Sequence, residues 1–296
     1  GTKPLGTIWA IENVGGITQE GERLLREGAR LAALHIMGNH NNNKLEFQVR
    51  EGTLRSALDG SLSAKEIAYR LALPAGTVLS LVGFAAIANS NGTVPLITHL
   101  GNELSQYLAV FRPDAAITTT SRTVYLLLPG GESESVMRLI NGALSAIQLA
   151  FKDQIRAAIS HSSTQPADLP SMRREVDDIL RVTTVNPDFP SVAKLADVHA
   201  RVLLDHVADE LIREPMLKHP GIQAMLAYDL ENKTNYADSV VAWLDAVGDI
   251  ALAAGSLFIH ANTLRYRLRR VKDLFNITLD NPDDRLAVWM QLRLVL

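Results

Sequence analysis

Residues 248–275 read GDIALAAGSLFIHANTLRYRLRRVKDLF. The pattern predicts two short helices joined by a tight turn. Asp249 stands at an N-cap position, where its carboxylate accepts from free N–H groups of the opening turn. Ile250 to about Gly255 forms the first helix, and Leu257, Phe258 and Ile259 carry an apolar turn. A second helix starts near His260–Ala261. In it Leu264, Leu268, Val271 and Phe275 recur at i, i+4, i+7 and i+11, so one stripe is buried. Asn262, Arg265, Tyr266 and Arg269 share the opposite face. Arg265, Arg267, Arg269, Arg270 and Lys272 put five cations within eight residues. Such a helix suits a DNA major groove, which admits one helix and offers base edges to bidentate Arg and Asn. A solvated basic face is the other reading these residues allow. Gly255 inside the first helix weakens it by about 1 kcal/mol relative to Ala.

The string His260-Ala261-Asn262-Thr263-Leu264-Arg265-Tyr266-Arg267-Leu268-Arg269-Arg270 resembles the C-terminal helix-turn-helix of PucR/CdaR-type bacterial transcription regulators. A second motif of that family follows at the right spacing, Leu279-Asp280-Asn281-Pro282-Asp283-Asp284-Arg285-Leu286. Ala261 departs from the basic residue often found there, which removes one possible phosphate or base contact. The resemblance implies that a helix over about 261–274 enters the major groove. His260, Asn262, Thr263, Arg265, Tyr266, Arg267, Arg269, Arg270 and Lys272 are the DNA-binding set it implies. Asn262, Arg265 and Tyr266 would reach base edges or a thymine methyl. Thr263, Arg267, Arg269, Arg270 and Lys272 would hold phosphates, unless Arg267 lies sideways against the first helix. Phosphate contacts position the helix without reading sequence.

The chain has 296 residues and a net charge of −3, so two domains are expected and any nucleic-acid affinity comes from a local basic patch on an acidic body. With no cysteine, structural disulfides, thiolate metal sites and cysteine nucleophiles are excluded. The longest weakly polar run, Thr77–Ala88, falls short of the roughly 20 residues a membrane span needs. No signal peptide is read, and a cytoplasmic location is expected. The chain begins at Gly1 without Met, so it is expected either to be truncated or to carry the remnant of a tag.

Gly6–Ile11 reads as a strand and Thr18–Met37 as a helix. The pair resembles the last strand and exit helix of a GAF-type sensor domain; alternatively the strand joins the next sheet. The helix could pair with its copy in a second chain. Gly38–Lys44 is a polar break containing His40, read as a solvated loop. Leu45–Asp59 and Ala64–Leu73 are further helices, the latter capped by Ser61 or Ser63. Then the pattern turns to α/β: strand Thr77–Ala88, helix Pro95–Phe111, strands Ala115–Thr119 and Thr123–Leu128, helix Ser133–Ala150, strand Ile155–Ser160, helix Pro170–Val182 and strand Ser191–Lys194. This order suits a ferredoxin-like or nucleotide-cyclase-like sheet with helices on one face. It is similar to the degenerate GGDEF-like domain of PucR/CdaR regulators. From Asp197 the chain is helical, and His199 and His206 are read as surface or half-buried residues. Trp243 and Trp289 are read as core, and Asn281 as the cap of a last helix with Pro282 in its first turn.

A diguanylate cyclase needs carboxylates for two Mg²⁺ ions and a glycine-rich hairpin. The hairpin turn here is Thr119-Thr120-Ser121-Arg122, with neither glycine nor acid, and Pro129-Gly130-Gly131-Glu132 follows the second hairpin strand. The expected class is therefore α+β multidomain: 1–43 the tail of a GAF-like sensor plus linker helix, 44–195 a GGDEF-like α/β domain, and 196–296 a helical domain with the helix-turn-helix. The expected function is sequence-specific regulation of a metabolic or secondary-metabolite (for example polyketide) gene cluster. Its expected partners are an operator duplex, a second copy in a homodimer, and a small-molecule effector held by the preceding sensor. No enzyme, cofactor, metal or membrane role is expected. The alternative is a small-molecule or nucleotide-binding signalling module with an inactive cyclase-like domain.

Overall fold

The computed structural model describes residues 19–87, 93–131, 133–151, 155–186 and 188–296. The expected strand Gly6–Ile11 lies outside these. Contacts divide the chain into two units, Gly1–Asp197 and Val198–Leu296.

Helix α1, Gln19–Leu58, is one helix of 40 residues. The helices expected at Thr18–Met37 and Leu45–Asp59, with a break at 38–44 between them, are joined in this one helix from Gln19 to Leu58, and Thr18 lies outside the described residues. Asn costs only a fraction of a kcal/mol in a helix and Gly about 1 kcal/mol, and no proline stands between Thr18 and Leu58. The backbone ladder therefore continues through the polar run. Helix α2, Ala64–Arg70, opens with a capping box, in which Ser63 N–H donates to the Glu66 carboxylate at 2.9 Å and Ser63 Oγ accepts from Glu66 N–H.

Strands β1 (Leu79–Ala86), β2 (Ala116–Thr119), β3 (Thr123–Pro129), β4 (Ile155–Ser163) and β5 (Val192–Lys194) form one sheet in the order β2-β3-β1-β4-β5. The first four are antiparallel to their neighbours, and β5 joins parallel to β4. Helices α3 (Thr93–Phe111) and α4 (Ser133–Phe151) connect β1 to β2 and β3 to β4, which is the ferredoxin-like βαββαβ arrangement. A register shift at Ser80/Val82 frees the Leu81 N–H, which donates to Ser160 Oγ at 3.1 Å.

Helices cover both faces of this sheet, a correction to the expected single face. Val82, Phe84, Val124, Leu126, Leu128, Ala157 and Ile159 pack with Ile97, Leu100 and Leu104 of α3 and Val136 and Ile140 of α4. The alternate positions face α5 (Leu169–Thr183), whose Leu169, Met172, Val176, Ile179 and Leu180 are buried at helical spacing. The end of α1 joins that layer, burying Thr53, Leu54, Ala57 and Leu58. The cause lies in the strands: LSLVGFAA and TVYLLLP are nearly continuous apolar runs, and a strand apolar on both sides must be covered on both. Gly83 permits the close approach of α5, because a Cβ there would collide with Val176 Cγ1.

One polar cluster ties the α5 layer together. Tyr125 Oη donates to Asp177 Oδ1 at 2.5 Å, Arg173 lies 5.5 Å over the Tyr125 ring, and Arg173 also pairs with Asp59 at the end of α1. Burial first, and the bond to Asp177 second, push the Tyr125 hydroxyl up to about 12. A raised folded value means that the protonated form is favoured by folding. That stability is present below the ordinary tyrosine value of 10.0 and is lost as pH rises through about 12. Tyr125→Phe is expected to remove a phenolate absorbance step near pH 12 and to flatten the loss of stability between pH 10 and 12, read by denaturant melts across that range. Gly83→Ala is expected to lower stability by about 1–3 kcal/mol through overpacking. Gly52→Ala, in α1 with open space around it, should raise stability by about 1 kcal/mol.

Candidate nucleic-acid interface

Helix α6 (Leu195–Arg213), most of it in the second unit, leads to α7 (Pro220–Asn232), α8 (Tyr236–Asp245), α9 (Ile250–Ser256), α10 (Ala261–Phe275) and α11 (Pro282–Val295). The starts of α7, α9 and α11 each have their own cap. His219 Nδ1 accepts from Gly221 N–H, Asp249 Oδ1 from Ala251 and Leu252 N–H, and Asn281 Oδ1 from Asp283 N–H. Helix α8 is capped from a distance, since the Asp229 carboxylate accepts from Tyr236 and Ala237 N–H at 2.9 and 2.8 Å. Spacing alone does not announce that role, because Asp229 lies on the preceding helix.

The core joins Ile222 and Met225 of α7, Tyr236, Val240 and Leu244 of α8, Val271 and Phe275 of α10, and Val288 and Leu292 of α11. Tyr228, Tyr236 and Phe275 form an aromatic trio with ring centroids 5.6–6.0 Å apart. Ala253, Ala254 and Leu264 make a second, small cluster that seats α9 against α10. Leu264, Val271 and Phe275 are thus buried as the period required, and Leu268 is half-buried. Trp243 and Trp289 are half-buried and pack against this core at its edge. Their indole N–H groups donate to Gly248 O at 2.9 Å and Asp245 Oδ1 at 2.8 Å, and both rings line an open groove with Val247, Pro282 and Leu286.

The α9–α10 turn departs from the expected apolar turn at one residue. Leu257 and Ile259 pack on the small cluster, but Phe258 is 95% exposed and has φ +55°. His260, exposed, caps α10 by accepting from Asn262 N–H at 3.2 Å through Nδ1. No acid stands in the first turn of α10, so the positive end of its dipole is not neutralised there.

The outward face of α10 carries Asn262, Thr263, Arg265, Tyr266, Arg269 and Lys272, all exposed. Arg265 Nη1 donates to Asn262 Oδ1 at 2.9 Å, so two of the three side chains expected at base edges hold each other. The cations are not equivalent. Arg267 is half-buried and donates to Ser239 Oγ of α8 at 3.2 Å; Ser239 is fully buried. It therefore leans on the domain, against α8 rather than the first helix of the motif. Lys272 is paired with Asp280 at 3.0 Å, which lowers the net positive charge at that end. Arg270 is half-buried, and Arg269 is exposed. His199 and His206 are exposed on α6. Among the described residues, no group of three or more His, Cys, Asp or Glu could hold a metal ion, and no helix is long and apolar enough to cross a membrane.

Residues 236–294 match the PucR C-terminal helix-turn-helix domain. This C-terminal stretch of the chain is therefore similar to a PucR helix-turn-helix domain. Over 67 residues it is 28% identical to the DNA-binding transcriptional activator AdeR of Bacillus subtilis (strain 168), covering 23% of this chain and 16% of that protein. Over 65 residues it is 35% identical to the carbohydrate diacid regulator of Escherichia coli (strain K12), covering 22% of this chain and 17% of that protein. The matched region thus spans about one sixth of these relatives. The crystal structure of a regulator of polyketide synthase expression from Bifidobacterium adolescentis aligns over 83% of this chain and 91% of its own, with 16% identity and a TM-score of 0.37. Within residues 236–294, Arg267→Ala is expected to cost about 1 kcal/mol, since it removes a partner of buried Ser239, whereas Arg269→Ala should leave stability within about 0.5 kcal/mol. Thermal melts of the full chain check both.

Proposed function

We propose that this protein is a sequence-specific DNA-binding transcription regulator that reads its operator with α10. The observation that carries this is the sorting of α10 into a buried stripe of Leu264, Val271 and Phe275 and an exposed face of Asn262, Thr263, Arg265, Tyr266 and Arg269. The match of residues 236–294 to the PucR helix-turn-helix domain and the names of the two matched regulators support it. In this reading Asn262, Arg265 and Tyr266 face the base edges. Thr263, Arg269 and Arg270 hold phosphates, with His260 and the open first turn of α10 at the backbone. Arg267 and Lys272 belong to the set by position, but their Ser239 and Asp280 contacts make them supports of the helix rather than principal phosphate ligands.

One such helix binds weakly, so the working form is a homodimer on two half-sites roughly 34 Å or a multiple apart. The first unit serves as a GGDEF-like relay and dimerising module over 44–195. Residues 1–43 form the end of a sensor that takes a small-molecule effector, and 196–296 form the DNA-binding region. We assign no catalytic step to the relay: its β2–β3 turn, Thr120-Ser121-Arg122, is closed by Thr120 Oγ1 accepting from Thr123 N–H at 3.0 Å and carries neither glycine nor carboxylate. The regulated genes are metabolic or secondary-metabolite genes, and the place of action is the cytoplasm.

Arg265→Ala is expected to relax discrimination at one base pair by about 1–3 kcal/mol. Arg269→Ala is expected to weaken all duplexes alike and to reduce the salt slope by about 1. Operator binding measured over a salt series separates the two, and unchanged binding in both variants would overturn the assignment of this face.

A further inference from the structure

Helix α9 ends in a Schellman motif. Phe258 N–H donates to Gly255 O at 3.1 Å and Ile259 N–H to Ala254 O at 3.0 Å, which puts Phe258 at the left-handed C′ position. Glycine is the residue that adopts this backbone without a Cβ penalty, and a bulky side chain there is strained. A strained residue is ordinarily offset by burial. Phe258 is 95% exposed, so its ring contributes almost nothing to the core while its backbone costs stability. Strain held without a folding return collects where a protein makes contact with something else.

The position says what that is. Phe258 is two residues before His260, the cap of α10, and two residues of chain reach at most about 7 Å. The ring therefore sits beside the end of α10 that carries exposed Asn262, Thr263 and Arg265. An aromatic next to a cationic, groove-entering helix end meets the groove lip, whose apolar surface is deoxyribose C–H or the thymine methyl.

We propose that Phe258 is a DNA-contacting residue, packing its ring on the apolar lip of the major groove where α10 enters. This rests on the reading of α10 as the recognition helix. Val247 is a built-in comparison. It occupies the same C′ position at the end of α8, with φ +53° and 92% exposure, but lies by the groove of Trp243 and Trp289.

The test uses the full chain and duplexes enriched by the wild-type protein from a randomised pool, at one fixed salt concentration. Phe258→Gly and Val247→Gly both relieve left-handed strain, so both should melt no lower than wild type. Phe258→Gly should lose about tenfold or more in affinity, while Val247→Gly binds as wild type and Phe258→Tyr keeps most of the binding. Replacing thymine by uracil at flanking positions identifies the contacted surface: a loss in wild type but not in Phe258→Gly marks the methyl, and no loss marks the sugar. Unchanged affinity of Phe258→Gly, or a fall in its melting temperature matching the loss of binding, overturns the proposal while leaving the role of α10 intact. Failure of the wild-type chain to enrich any duplex overturns both.

Discussion

The packing of Leu264, Val271 and Phe275 beneath α10 is the constraint on which the rest of the second unit depends. Burying each of these side chains is worth about 1.5–3 kcal/mol, and together they outweigh the mutual repulsion of five cations in eight residues. The same packing sets the rotation of the helix. With Leu264 against Ala253 and Ala254, and Phe275 in the aromatic trio, Asn262, Arg265 and Arg269 have no direction left but outward. The charge pattern is then trimmed by tertiary contacts: Arg267 leans on Ser239, and Lys272 is met by Asp280. A uniform basic stripe becomes a face whose exposed polar groups, Asn262 and Arg265 bonded to each other, lie near the start of α10. That end also presents the positive pole of the helix dipole without an acid to oppose it.

The first unit follows a different constraint. Its central strands are apolar on both sides, so the sheet must be sandwiched by α3 and α4 on one face and by α5 with the end of α1 on the other. Gly83 sets the approach of α5, and the Tyr125–Asp177–Arg173–Asp59 cluster fastens α5 to β3 and to the end of α1. In the proposed reading this unit is the relay, and α1, 40 residues long, ends against its sheet.

Much of this was legible in the residues themselves, and the exceptions have physical causes. The α9–α10 pair, the Asp249 and Asn281 caps and the buried stripe are local, period-driven features, and they stand as the pattern required. The βαββαβ order was legible because each strand is a short apolar run between turn residues. The continuity of α1 was not, because a run of Asn reads as a break although each Asn costs a helix little. The second covered face was missed because single-strand alternation is silent when both alternations are apolar. The fates of Arg267 and Lys272 depend on Ser239 and Asp280, residues distant along the chain or across a loop. Phe258 had a usable signal, an aromatic where a helix C′ residue is usually glycine, but its exposure is a tertiary fact.

The most direct measurement is equilibrium binding of the full chain to promoter fragments from its own genomic neighbourhood, at two salt concentrations. The account predicts that one or a few fragments bind selectively, with affinity falling steeply as salt rises, as phosphate contacts from a local basic face require. Binding that shows no selectivity among fragments even at low salt would contradict it and would make the basic face of α10 a surface for something other than an operator.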